Sequence, residues 1–164
     1  MNPVDDLAMQ AAVSRTKLHA SHRSQRQLSD GYDHVGMAGE LAFGKAFGLM
    51  PDFDSLASGD KGVDFVLPLA LTVDVKTFRK PRNLVHEVGK PFADLYVLAQ
   101  YNDEDGSSRL LGWATGWDLA QAPTMTLPGH SVLNHCIPAS ELRPMEHLLK
   151  KRLVGMPLVK REKT

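Results

Sequence analysis

Between Asp33 and Gly48 the apolar and small residues recur at helical spacing. Met37, Leu41, Gly44 and Gly48 fall on one stripe, and Phe43 and Phe47 stand four apart. The pattern predicts a helix from Asp33 to about Phe47, with Gly48 as its stop and Pro51 beyond it. Upstream, residues 3–28 lack internal Pro and Gly, and Val4, Leu7, Ala8, Ala11 and Ala12 form one stripe; this predicts a first helix, broken at Ser29-Asp30-Gly31. After a loop rich in Asp, Ser and Gly over 52–62, the period shortens to that of strands. Val63–Leu67 and Leu71–Phe78 are two strands joined tightly by Pro68-Leu69-Ala70. Residues 79–93, with Pro81, Gly89 and Pro91, read as a basic loop, and Asp94–Tyr101 as a third strand. The turn signal Asn102–Gly106 leads to a fourth strand, Arg109–Thr115. Trp117–Gln121 starts a short helix stopped by Pro123. After a Pro- and Gly-bearing stretch, Ser140 caps a last helix over about 140–152.

Helices, then an antiparallel-rich sheet, then a short helix predict an α+β fold or a mixed α/β layer. The 164 residues suit one domain, and 43% apolar content suffices for one core. We divide the chain into an N-terminal helical extension (1–30), a core (31–121) and a C-terminal extension (122–164).

Composition narrows the classes. One cysteine, Cys136, excludes an intrachain disulfide and spells out no cysteine-based zinc site, which fits a reducing compartment. The start Met-Asn-Pro-Val-Asp-Asp is unlike a secretory signal, and no apolar run approaches the ~20 residues that span a bilayer. A cytoplasmic protein without a membrane partner is expected. Net charge is zero, but the charges are unevenly spread. Arg15, Lys17, Arg23 and Arg26 lie in an acid-free stretch. Lys76, Arg79, Lys80, Arg82 and Lys90 face one acid, Glu87, and the tail from Lys150 is basic. Most acids of the first half lie over 30–64. An acidic centre with basic flanks suits a metal site approached by a polyanion; solvated surface charge explains any single cluster equally well.

The chemistry concentrates in Glu40, Asp64 and Asp74-Val75-Lys76. If 68–70 is a three-residue hairpin loop, Leu67 faces Leu71 and Asp64 falls directly opposite Asp74. Cβ atoms so paired stand roughly 4.5–5.5 Å apart, and two like charges there repel unless a cation lies between them. Lys76, two residues past Asp74, shares its sheet face, while Val73 and Val75 point to the other, towards a core. Two carboxylates can hold Mg²⁺, which takes oxygen ligands and keeps several waters. Such an ion stabilises phosphoryl charge and acidifies bound water, and an adjacent ammonium orients that water. An Asp-x-Lys alone is common on ordinary strands; it is the addition of Asp64 and Glu40 that gives it weight. Gly36, Gly39 and Gly44 around Glu40 cost helix stability, a cost that close packing on a sheet would explain.

Glu40, Gly62-Val63-Asp64-Phe65 and Val73-Asp74-Val75-Lys76 resemble the active-site signature of the PD-(D/E)XK nuclease superfamily, above all its small phage and prokaryotic nucleases and Holliday-junction-resolvase-like members. The resemblance covers roughly residues 34–117. It implies a restriction-endonuclease-like core with a central mixed sheet flanked by helices, here with an added N-terminal helix. It implies Mg²⁺-dependent cleavage of DNA, with Mn²⁺ as substitute. Asp64, Asp74 and the Val75 carbonyl would be metal ligands, Lys76 would position or activate the water, and Glu40 would be the accessory acid. Val63 replaces the family's proline, and the Asn102–Ser108 turn replaces the helix expected between the third and fourth strands.

Arg79, Lys80 and Arg82, leaving the strand that carries Lys76, are placed to contact phosphates, with Lys90 further along the loop. Arg15, Lys17, Arg23 and Arg26 form a second candidate track. Each set also reads as ordinary basic surface. His86 is within reach of the site from the basic loop; His34 reads as a cap or surface residue. One of Trp113 and Trp117 is core, and Tyr96–Ala99 read as a buried strand without chemistry. The expectation is an endonuclease for DNA, branched or junction DNA included, acting as a homodimer where two strands need two sites. The competing readings are a catalytically silent DNA-binding or protein-interaction module on the same scaffold, and an RNase.

Overall fold

The computed structural model describes residues 32–49, 63–67 and 70–153. The expected helix over 3–28, with Arg15, Lys17, Arg23 and Arg26, lies outside the described residues, as does the loop over 52–62. The protein is α+β, built on a mixed sheet. Helix α1 (Tyr32–Phe47) precedes a hairpin of β1 (Phe65–Leu67) and β2 (Leu71–Phe78). Then come β3 (Asn83–Glu87), β4 (Leu95–Tyr101), β5 (Ser108–Thr115) and α2 (Gly116–Gln121). The strands β6 (Thr124–Thr126) and β7 (Leu133–Pro138), a 3₁₀ turn (Ala139–Glu141) and α3 (Met145–Leu153) complete the described chain. The main sheet runs β1-β2-β4-β5, antiparallel, parallel, antiparallel. A second sheet, β3-β7-β6, is antiparallel throughout.

Alternation along β2 and β4 sets the layers. Val73, Val75, Leu95 and Val97 face α1 and form a core with Phe43, Phe47, Trp113 and Leu148. Phe43 stacks on Phe47 at 4.4 Å and tilts against Phe65 at 4.9 Å. On the other face Tyr96, Leu98 and Ala114 pack with Leu84, Leu119 and Ile137 from the second sheet and α2. α1 packs on β2, β4 and β5. Gly39 makes the approach close: a Cβ there would overlap the Thr77 hydroxyl of β2. The cost of glycine in a helix has its reason at this position, one residue before Glu40.

Two expectations fail for identifiable reasons. The basic loop contains β3, and the Pro- and Gly-bearing stretch contains its partner β7; Leu84↔Ile137 and His86↔His135 pair across some fifty residues. Such a pairing leaves little local signal, since each strand is short and bounded by turn residues. The parallel step from β2 to β4 therefore crosses over through a strand of the other sheet. The last helix begins at Met145, not Ser140. Arg143 precedes Pro144, which disfavours the helical conformation, and it instead exchanges backbone hydrogen bonds with Trp113 at 3.0 Å each way.

Candidate active site

The site is built around the edge of β2 where β1 runs out. The hairpin register is Phe65↔Val73, Val66↔Thr72 and Leu67↔Leu71, as the three-residue loop requires. Asp64 then leaves the ladder. Its N–H donates to the Val73 carbonyl at 2.8 Å, and its Oδ2 accepts from the Val75 N–H at 2.6 Å. The expected face-to-face pairing of Asp64 with Asp74 is thus replaced. Direct opposition would set like charges side by side, whereas the turn towards Val75 satisfies a strand-edge donor and a carboxylate together. Since N–H and C=O of one strand residue point the same way, the Val75 carbonyl also lies on this edge.

Asp74 and Lys76 share the opposite face from Val73 and Val75, as the period of two requires. Lys76 Nζ stands 2.8 Å from Asp74 Oδ2. The Asp74 side chain is only 6% exposed and that of Lys76 32%, so this ion pair shields a carboxylate that burial would otherwise penalise heavily. Glu40, buried on α1, comes from the helix side. Asp64 feels the charges of both Glu40 and Asp74, which lie on opposite faces of the sheet.

Their mutual field is seen at Asp64. Loss of water around it, then the negative charges of Glu40 and Asp74, hold its carboxyl well above the usual carboxylate range. The Val75 N–H and the Lys76 ammonium pull the other way. Glu40, twenty-four positions before Asp64, thus acts on it together with Asp74, ten positions after.

Among the described residues no three His, Cys, Asp or Glu side chains are grouped closely enough to hold a metal ion by themselves. That argues against a closed side-chain cage. Mg²⁺ asks for less: one or two carboxylates, with water completing its shell. Asp64 and Asp74 are carboxylates of the type that demand names; the Val75 N–H engages one oxygen of Asp64, and Lys76 one of Asp74.

The flanking cations divide. Arg79 is tied to the β4–β5 turn, its Nε 2.9 Å from Asp103 Oδ1, and its guanidinium lies 5.5 Å from the Tyr101 ring centre. This is an exposed surface pair on the turn after β4. Lys80, Arg82 and Lys90 are exposed. Trp113 is buried and Trp117 is 73% exposed, which assigns the core member of that pair. Trp117 borders a cleft of about 520 Å³ together with Met125 and Pro138; Glu40, Asp64, Asp74 and Lys76 do not line it.

Sequence reading passed over one residue. Tyr96 pairs with Asp74 in the parallel ladder. Burial first, and then the charge of Asp74, push its hydroxyl up to about 12 against the opposing Ala93 N–H, so it stays protonated. Its signal was a hydroxyl inside an otherwise apolar run. His34, expected as cap or surface, sits 2.9 Å from the Tyr101 hydroxyl through Nε2. No helix among the described residues is long and apolar enough to cross a membrane. No protein-family model, curated protein or solved structure matches the chain, which leaves the geometry of Glu40, Asp64, Asp74 and Lys76 as the ground for a functional reading.

Proposed function

We propose that this protein is a Mg²⁺-dependent endonuclease of the PD-(D/E)XK kind, with a restriction-endonuclease-like core, that hydrolyses phosphodiester bonds in DNA. The observation that carries the reading is Asp64 turned out of the ladder onto the Val75 N–H, next along β2 to the ion pair of the buried Asp74 with Lys76. Asp64 and Asp74 would hold the cation, with the Val75 carbonyl beside them and Glu40 as accessory acid. When bound, the cation supplies charge stabilisation at a phosphoryl oxygen and a more acidic water. Lys76 orients the attacking water and opposes the negative charge that develops. Lys80, Arg82 and Lys90 position the backbone of the substrate without reading its sequence.

One observation favours the alternative of a DNA-binding module without catalysis: among the described residues no three acids stand at metal-holding spacing. The deciding experiment is cleavage of labelled single-stranded, duplex, flap and four-way-junction DNA, with a matched RNA, in Mg²⁺, Mn²⁺ or EDTA. Metal-dependent DNA cleavage by the wild type that is lost in Lys76→Ala is the expected result. Binding without cleavage by the wild type in either metal would overturn the enzymatic reading.

A further inference from the structure

A buried hydrogen-bonded chain runs from Tyr96, the ladder neighbour of Asp74, to the turn after β3 that carries Lys90. Tyr96 stands beside Asp74 in the ladder and is fully buried. Its hydroxyl accepts from the Ala93 N–H at 2.9 Å and lies 3.1 Å from His86 Nδ1. His86, itself buried, has Nε2 3.1 Å from the Lys90 carbonyl. A carbonyl only accepts, so Nε2 carries the proton, and in the neutral ring Nδ1 offers the lone pair. The Tyr96 hydroxyl therefore donates to His86, and the chain runs in one direction from Ala93 through Tyr96 and His86 to Lys90. The turn it holds is tight. Lys90 N–H donates to the Glu87 carbonyl at 3.3 Å, Gly89 between them has φ +87°, and the Phe92 ring lies 4.3 Å from that of His86.

Buried polar chains are costly unless every member is satisfied, and apolar side chains would fill the same space. What this chain adds over apolar packing is a fixed position for a turn whose outward side chain is the exposed Lys90. We infer that Tyr96 and His86 are positioning residues that set the Lys90 ammonium for a phosphate of nucleic acid bound at the Asp64–Asp74 edge; this rests on the nuclease reading. The turn's main chain is two hydrogen bonds from Tyr96, which is itself the ladder neighbour of Asp74. A cation held in this way forfeits less freedom on binding than one on a loose loop.

The test measures binding of a short labelled DNA duplex in EDTA across a salt series, together with amide exchange, for wild type, Tyr96→Phe, Lys90→Ala and the double variant. Lys90→Ala keeps the carbonyl that His86 needs, and Tyr96→Phe removes one oxygen from a ring that stays packed. One lost phosphate contact lowers the slope of log affinity against log salt by about 0.9. We expect that loss in Lys90→Ala, a loss in the same direction in Tyr96→Phe, and no further loss in the double variant. The Ala93 amide should exchange faster in Tyr96→Phe. A merely structural hydroxyl would change stability and leave the slope alone. An unchanged slope in Tyr96→Phe or in Lys90→Ala, or additive losses, overturns this inference while leaving the nuclease reading standing. A wild type that binds no DNA in EDTA overturns this inference, and a wild type that cleaves no DNA in Mg²⁺ or Mn²⁺ overturns the nuclease reading.

Discussion

Asp64 and Asp118 are aspartates at the ends of the same mixed sheet, one just before β1 and one in the first turn of α2, and their proton affinities are shifted in opposite directions. Burial works to raise both. At Asp118 it is outweighed by hydrogen bonds from the Arg143 guanidinium, the Thr115 N–H and the Thr115 hydroxyl, and the carboxyl falls to about 2. Arg143 also lies 5.0 Å from the Trp113 ring centre, so the cluster pins α2 and the segment before α3 to β5. At Asp64 the neighbours that matter most are acids, Glu40 and Asp74, and the shift runs upward. One aspartate is arranged to hold the fold together. The other is set among acids, and the proposed site rests on that arrangement.

The sharpest break of this comparison is functional. Lys76→Ala should lower metal-dependent cleavage by about 10²–10³-fold with an unchanged circular-dichroism spectrum. Asp118→Ala should leave the native protein's cleavage rate within twofold or so, about the scatter expected of a site with no part in the reaction. Equal effects at both sites would end the distinction.

The next effect is on stability and goes the opposite way. Asp118→Ala should cost about 1–2 kcal/mol in urea unfolding, because it removes the reciprocal cap between Thr115 and Asp118 and leaves Arg143 without its carboxylate. Asp64→Asn keeps an acceptor for the Val75 N–H and removes a charge that its surroundings oppose. It should raise the Tm of the metal-free protein by a few degrees while abolishing cleavage. A lowered Tm would mean that Asp64 stabilises the fold as Asp118 does.

The smallest effect is in the pH dependence, and the two residues again have opposite signs. Asp118, depressed in the folded state, contributes stability above the ordinary carboxylate pKa near 3.8, and that contribution is lost as pH falls towards about 2. Because the pair is partly exposed, its share is about 1 kcal/mol. Asp64, raised in the folded state, makes the metal-free protein less stable as pH climbs above 3.8, since the unfolded chain ionises first. Stability–pH curves should therefore lose part of their acid-side rise in Asp118→Asn. In Asp64→Asn they should lose part of their decline towards neutrality.

Much of this arrangement was legible along the chain. The helix ending at Gly48, the hairpin register through Leu67 and Leu71, and the separation of Asp74 and Lys76 from Val73 and Val75 all follow from local periodicity and from loop length, which act over a few residues. So did the short helix before Pro123, although it starts at Gly116 and its Thr115–Asp118 capping box was not read. The second sheet was not legible. β3 and β7 each have too few residues to outweigh their flanking Pro and Gly, and they become strands only through each other. Which aspartate would be depressed and which raised was also decided by tertiary structure. Charge partners at Arg143, twenty-five positions from Asp118, and Glu40, twenty-four from Asp64, are set by folding and not by spacing. Residue type and period thus determined where charged side chains point on each element. The assembly of those elements determined their neighbours, and an ionisable group takes its character from its neighbours.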